Sequence, residues 1–160
     1  MTVVGVRVEL PSNTPIVLLR EQDGPRYLPI WIGAAEATAI ATAIENVEPP
    51  RPQTHDLMVM AIEELGARMA RVVVSEMRDS VFYADLVLDT PNGEIHLSAR
   101  PSDSIALAVR TGAPVYADPA VLAEAGIEIE DESEEQQIQR FREFLEDVTV
   151  EDFLREEGDI

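Results

Sequence analysis

Tyr27-Leu28-Pro29-Ile30-Trp31-Ile32-Gly33-Ala34-Ala35-Glu36-Ala37-Thr38-Ala39-Ile40-Ala41 passes from a strand pattern into a helix pattern across one glycine. Aromatic and branched residues before Gly33 suit an extended chain, and the alanines after it suit a helix to about Asn46. The same change recurs later, where Ile95 to Ala99 reads as a strand and Pro101 opens a helix through Ile105, Leu107, Ala108 and Val109. Laying Ala35–Ala41 on Ser102–Ala108 sets Glu36 opposite Asp103. Both acids then stand in the first turn of a helix that follows a third strand.

Outward from these two runs the rest of the pattern falls into place. Val4, Val6, Val8 and Leu10 alternate with more polar positions, a half-buried strand closed by Pro11-Ser12-Asn13, and Ile16 to Arg20 is a second strand. The Gln22-Asp23-Gly24-Pro25 turn leads into the third. After the first helix comes the loop Pro49-Pro50-Arg51-Pro52, and Thr54 is placed to cap a second helix ending at Gly66. Ala67 to Met77, Val81 to Leu88 and Ile95 to Ala99 repeat the three strands, and a short helix from Pro119 to Ala125 ends at Gly126. Three strands and two helices, twice over, predict an α+β fold. Duplicated β3-α2 units would form one barrel-like mixed sheet with helices packed outside. The expected division is a domain over 1–126 and an acidic linker with an amphipathic helical tail over 127–160. In that tail the stretch Glu128 to Gln137 is the linker, and Ile138, Phe141, Leu145 and Val148 form the apolar stripe.

Charge limits the partners. The chain carries 31 acidic residues against 12 basic ones, a net −19, and every basic residue is arginine. From Glu124 onward 15 acids face only Arg140, Arg142 and Arg155. Such a field opposes long polyanions, because binding to a phosphate backbone is driven by basic side chains that release counterions. The absence of cysteine excludes disulfides, thiolate metal sites and a cysteine nucleophile. With only His55 and His96 as imidazoles, a multi-histidine zinc site is not expected. No leader or membrane-spanning run is evident, which predicts a cytoplasmic protein without a membrane partner.

Candidate chemistry gathers in two places, each an arginine-proline pair followed by a hydroxyl and an acid: Arg51-Pro52-Gln53-Thr54-His55-Asp56 and Arg100-Pro101-Ser102-Asp103. A guanidinium forks onto phosphate or carboxylate, a hydroxyl adds a hydrogen bond, and a carboxylate beside an imidazole supplies acid-base capacity. Glu36 and Asp103 have a plain structural reading as first-turn acids that complement a helix dipole, and a functional one as paired oxygen ligands. His55 reads either as a general base or as a loop and capping residue, and His96 as structural. Tyr27, Trp31, Phe82 and Tyr83 lie in strand patterns, where packing competes with a base-stacking role. No Gly-x-Ser-x-Gly elbow and no glycine-rich phosphate loop is present.

The runs LPIWIGAAEATAIATAI (28–44), PPRPQTHDL (49–57) and ARPSDSIALAVRTGAPVYAD (99–118) together resemble the bifunctional nuclease domain, a bacterial and plant domain. The resemblance spans roughly residues 1–125. It implies the duplicated α+β fold, a homodimer, and an activity like that of plant relatives described as degrading both DNA and RNA. The family's polar motif positions fall on Glu36, Arg51, Thr54, His55, Asp56, Arg100, Ser102 and Asp103. The resulting expectation is metal-assisted phosphodiester hydrolysis of nucleic acid or an oligonucleotide. Glu36, Asp56 and Asp103 would hold Mg²⁺ or Mn²⁺, with no organic cofactor. Arg51 and Arg100, with Thr54 and Ser102, would bind the phosphate, and His55 would position or deprotonate water. The rival expectation is a non-catalytic regulatory module that binds a small anion or a protein through the same arginines. TVEDFLREE (149–157) resembles faintly a helical module with which some relatives bind DNA-repair proteins; the tail helix reads either as a protein-partner surface or as a helix that packs on the domain or its dimer partner with its charged face solvated.

Overall fold

β-Branched residues carry strand β1 (Thr2–Glu9), and tight turns return it antiparallel through β2 (Thr14–Arg20) and β3 (Arg26–Trp31). Extended Gly33 hands the chain to α1 (Ala34–Ile44), and the loop 45–53 leads to α2 (Thr54–Glu64). A second antiparallel meander follows as β4 (Arg68–Arg78), β5 (Val81–Thr90) and β6 (Gly93–Ala99). The described chain closes with α3 (Pro101–Thr111), β7 (Val115–Ala117), α4 (Pro119–Ala125) and β8 (Ile127–Glu128). The computed structural model describes residues 1–129, and Met1–Glu128 form one compact unit.

The strands do not form one barrel-like sheet. They form two four-stranded sheets, ordered β1-β2-β3-β8 and β6-β5-β4-β7. The reason is edge pairing. Two-residue β8 takes the free edge of β3, and β7 lies parallel on the outer edge of β4, so each meander is capped by a short strand instead of by the other sheet. The element order recurs only as far as three strands and a helix, because β7 then intervenes before α4. Glu128 pairs with Arg26 in β8 instead of beginning a linker. Residues 130–137 of the expected linker and the stripe from Ile138 to Val148 lie outside the described residues.

Both sheets contribute to one core. Val17, Leu19, Leu28 and Ile30 from the first and Val72, Val74 and Leu86 from the second pack with Ile40 of α1 and with Ile105 and Leu107 of α3. Helix α3 is the central piece, since it touches α1, α2, β4 and β5, and Ser104 through Ala108 are buried. Small side chains permit this: Ala106 and Ala108 on α3 and the alanine series on α1 let the two helices approach closely. Among the described residues no helix is long and apolar enough to cross a membrane.

Buried Ser104 donates its hydroxyl to the Arg100 carbonyl at 3.0 Å, and that carbonyl also accepts the Ser104 N–H at 3.1 Å. Removing the hydroxyl therefore leaves the carbonyl paired. Ser104→Ala is expected to lower stability by only about 0.5–1 kcal/mol, read from urea unfolding.

Candidate active site

Proline sets the geometry of the first half of the site. Pro101 disfavours helical backbone at the residue before it, so Arg100 stays extended (φ −70°, ψ 141°) as the residue that begins α3. From there its side chain spans two helices. Nε donates to Asp103 Oδ2 at 2.8 Å, and Nη2 donates to Glu36 Oε1 at 3.0 Å. The first-turn acids of α1 and α3 are thus joined by one guanidinium, on a side chain that remains 66% exposed.

Helix α2 adds the imidazole. Its cap is Gln53, not Thr54: Asp56, three residues on, accepts the Gln53 N–H at 2.9 Å and locks the first turn. His55 is carried inward to 9% exposure, and its Nε2 lies 3.0 Å from Asp103 Oδ1. Burial pushes the Asp103 carboxyl up, but hydrogen bonds from Arg100 and His55 outweigh it and hold the group below the ordinary carboxylate range. An ionised Asp103 can only accept, so Nε2 carries the proton toward it, and in the neutral imidazole Nδ1 is then the nitrogen with the free lone pair.

The second ion pair stands one residue further along α2. Arg110 Nε donates to Asp56 Oδ1 at 2.8 Å, and Arg110 Nη1 donates to the Ala106 carbonyl at 2.7 Å. The Arg110 bond, followed by the Gln53 N–H, draws the Asp56 carboxyl below its usual value. These six side chains line one groove of about 1130 Å³ between α1, α2 and α3, whose other surfaces include Thr38, Ala39, Thr42 and Met58.

The predicted residues divide accordingly. Glu36, His55, Arg100 and Asp103 form one continuous hydrogen-bonded chain, and Asp56 and Thr54 line the same groove. Ser102 is buried and lines a second, smaller cleft on the other side of Arg100. Arg51 is exposed, lines neither cleft and makes no ion pair among the described residues, so the two arginine-proline pairs do not meet in one pocket. His96 is an exposed cross-strand residue, with Nδ1 2.6 Å from Asp85 Oδ2.

The metal expectation meets a different arrangement. Arg100 lies between Glu36 and Asp103, Asp56 turns to Arg110, and no group of three or more His, Cys, Asp or Glu is gathered to hold a metal ion among the described residues. As placed, these donors do not fit a shared divalent ion. Arg110 is the residue that sequence reasoning missed. Its signal was present: it lies seven positions after Asp103, two helical turns, and so on the same face of α3.

Comparison with known proteins places the chain in a family. The model of the bifunctional nuclease domain matches residues 17–130. An uncharacterized protein of Mycobacterium tuberculosis (strain ATCC 25618 / H37Rv) is 50% identical over 159 residues, covering 94% of this chain and 95% of that protein. Bifunctional nuclease 2 of Oryza sativa subsp. japonica is 29% identical over 128 residues, and Bifunctional nuclease 1 of Oryza sativa subsp. indica is 26% identical over 130. These alignments cover 77% and 79% of this chain but 39% of each plant protein. With the family model matched over most of its length, the chain belongs to the bifunctional nuclease domain family.

Proposed function

We propose that this protein is a nuclease that hydrolyses phosphodiesters of DNA, RNA or oligonucleotides in the groove between α1, α2 and α3. The observation that carries the reading is the chain Glu36–Arg100–Asp103–His55, in which an oriented imidazole stands beside an arginine whose outer side is open. Arg100 binds a phosphate oxygen, and His55 Nδ1 takes the proton of the attacking water as its oxygen bonds to phosphorus. The bond to the leaving oxygen breaks, and that oxygen is protonated from solvent.

The test is a cleavage assay on single-stranded DNA and RNA, with and without Mg²⁺ or Mn²⁺, comparing wild type with Arg100→Ala and Asp103→Asn. Expected is cleavage by wild type and a loss of about 10-fold or more in each variant. Equal cleavage by all three preparations identifies a contaminant and overturns the reading. Dependence on added Mg²⁺ or Mn²⁺ would restore the proposed metal role of Glu36, Asp56 and Asp103.

A second reading is kept because the net charge of −19 opposes long polyanions: a regulatory module that holds a small anion on Arg100 without cleaving it. Binding of an oligonucleotide with no turnover would select it. The proposal further takes the protein to act in the cytoplasm as a homodimer, with the acidic C-terminal segment as a surface for a protein partner.

A further inference from the structure

Trp31 is the anomaly of the surface. It ends β3 with 52% of its surface exposed, although large aromatic side chains on a strand ordinarily pack. Its Nε1 donates to Glu9 Oε2 at 2.8 Å, which ties the polar edge of the indole toward β1 and fixes the ring while the residue stays accessible. Beside it opens a second cleft of about 230 Å³, lined by Trp31, Ile32, Ser80, Phe82, Arg100 and Ser102 among others. That volume lies below the ~300–1,000 Å³ of ordinary small-molecule pockets and suits one planar ring.

Among the described residues Arg100 alone lines both this cleft and the large groove. A phosphate held on its open side therefore has the His55 groove on one flank and an aromatic-walled cleft on the other. The turn between β4 and β5 completes the wall. Asp79 and Ser80 both take left-handed backbone (φ 49° and 64°), a conformation costly for residues other than glycine, and this tight reversal brings Ser80 and Phe82 to the cleft. The lining thus combines apolar surface for a ring face with the hydroxyls of Ser80 and Ser102 for its polar edge.

We infer that the Trp31–Phe82 cleft is a nucleobase subsite, which takes the base next to the phosphate on Arg100 and makes single-stranded nucleic acid the substrate class. The inference rests on the nuclease reading for the placement of that phosphate. Bases in a duplex keep their faces in the stack, whereas an unpaired base has a free face for the indole. Glu9, on the indole's nitrogen edge, repels a phosphate there and leaves the phosphate to the Arg100 side. A short single-stranded contact also suits a protein whose overall charge disfavours long tracking along a backbone.

Trp31 is the only tryptophan, so its fluorescence reports on the cleft directly. The full chain is titrated with an oligothymidylate, with the same oligomer lacking bases, and with inorganic phosphate, and binding is followed in parallel by anisotropy of labelled oligothymidylate. Expected is saturable quenching by the base-bearing oligomer but not by the abasic one or by phosphate. Trp31→Ala should weaken oligomer binding about 5- to 150-fold, Trp31→Phe should retain part of the affinity, and Phe82→Ala should weaken it to a lesser degree. Quenching equal for the abasic oligomer, or an unchanged affinity in Trp31→Ala, overturns the subsite. Cleavage without base-dependent quenching rejects the subsite and leaves the nuclease reading intact. Base-dependent quenching without cleavage keeps the subsite and rejects hydrolysis.

Discussion

His55→Ala is expected to reduce phosphodiester cleavage by about 10²- to 10⁴-fold, the range that a positioned general base contributes. The variant loses the only imidazole in the groove, and no other side chain lining it offers a neutral nitrogen base. Asp103→Asn should cost less, because an amide oxygen can still accept from Nε2 while it no longer stabilises the imidazolium. The two variants also separate by acid sensitivity. Asp103 is held below its ordinary value in the fold, so its ionised form is present above about pH 3.9, the unfolded value, and is lost as pH falls through the lower folded value. The orienting role of Asp103 is therefore lost only at strongly acid pH, and a single-turnover pH profile of wild type beside Asp103→Asn measures that loss. A His55→Ala protein that is folded by thermal unfolding and cleaves at the wild-type rate would remove the imidazole from the mechanism.

How much of this was legible before the fold is seen depends on the range of each interaction. Glu36, Arg100 and Asp103 were visible because a strand, a break and a helix start are local, and because the same local order occurs twice. His55 was visible as a residue but not by its partner. Its sequence neighbour Asp56 faces Arg110, while the imidazole reaches Asp103, forty-eight residues away. Arg51 shows the converse: its motif looks like the Arg100 pair, and its loop lines the large groove through Asn46 to Pro49 and Gln53, but Arg51 itself lines neither cleft. The two-sheet arrangement was not legible because it turns on β7 and β8, of three and two residues, too short to carry a periodic pattern. Likewise the helix cap fell on Gln53, because Asp56 reaches back to its N–H and makes a cap hydroxyl at Thr54 unnecessary.

Arg110→Ala is expected to lower stability by about 2–3 kcal/mol, somewhat below the range for breaking a fully buried ion pair, since the Arg110 side chain is 11% exposed but that of Asp56 is 28%. Three losses coincide. Asp56 keeps only the Gln53 N–H, the Ala106 carbonyl loses a donor, and the aliphatic stem no longer fills the wall between α2 and α3. Because the Arg110 contact is the main cause of the depressed Asp56 value, the sign of the pH effect follows. The pair stabilises fully above about pH 3.9, and its contribution fades as pH falls through the lower folded value. Urea titrations at neutral pH and near pH 3 should therefore show a wide gap between wild type and variant that narrows in acid. Arg110→Met, which restores the stem without the charge, should recover part of the loss at both pH values. A gap that stays constant with pH would assign the whole effect to packing and remove the ion pair as a support of the groove. A gap that narrows would connect the same carboxylate to both ends of the argument, since Asp56 fixes the first turn of α2 and that turn carries His55 to Asp103.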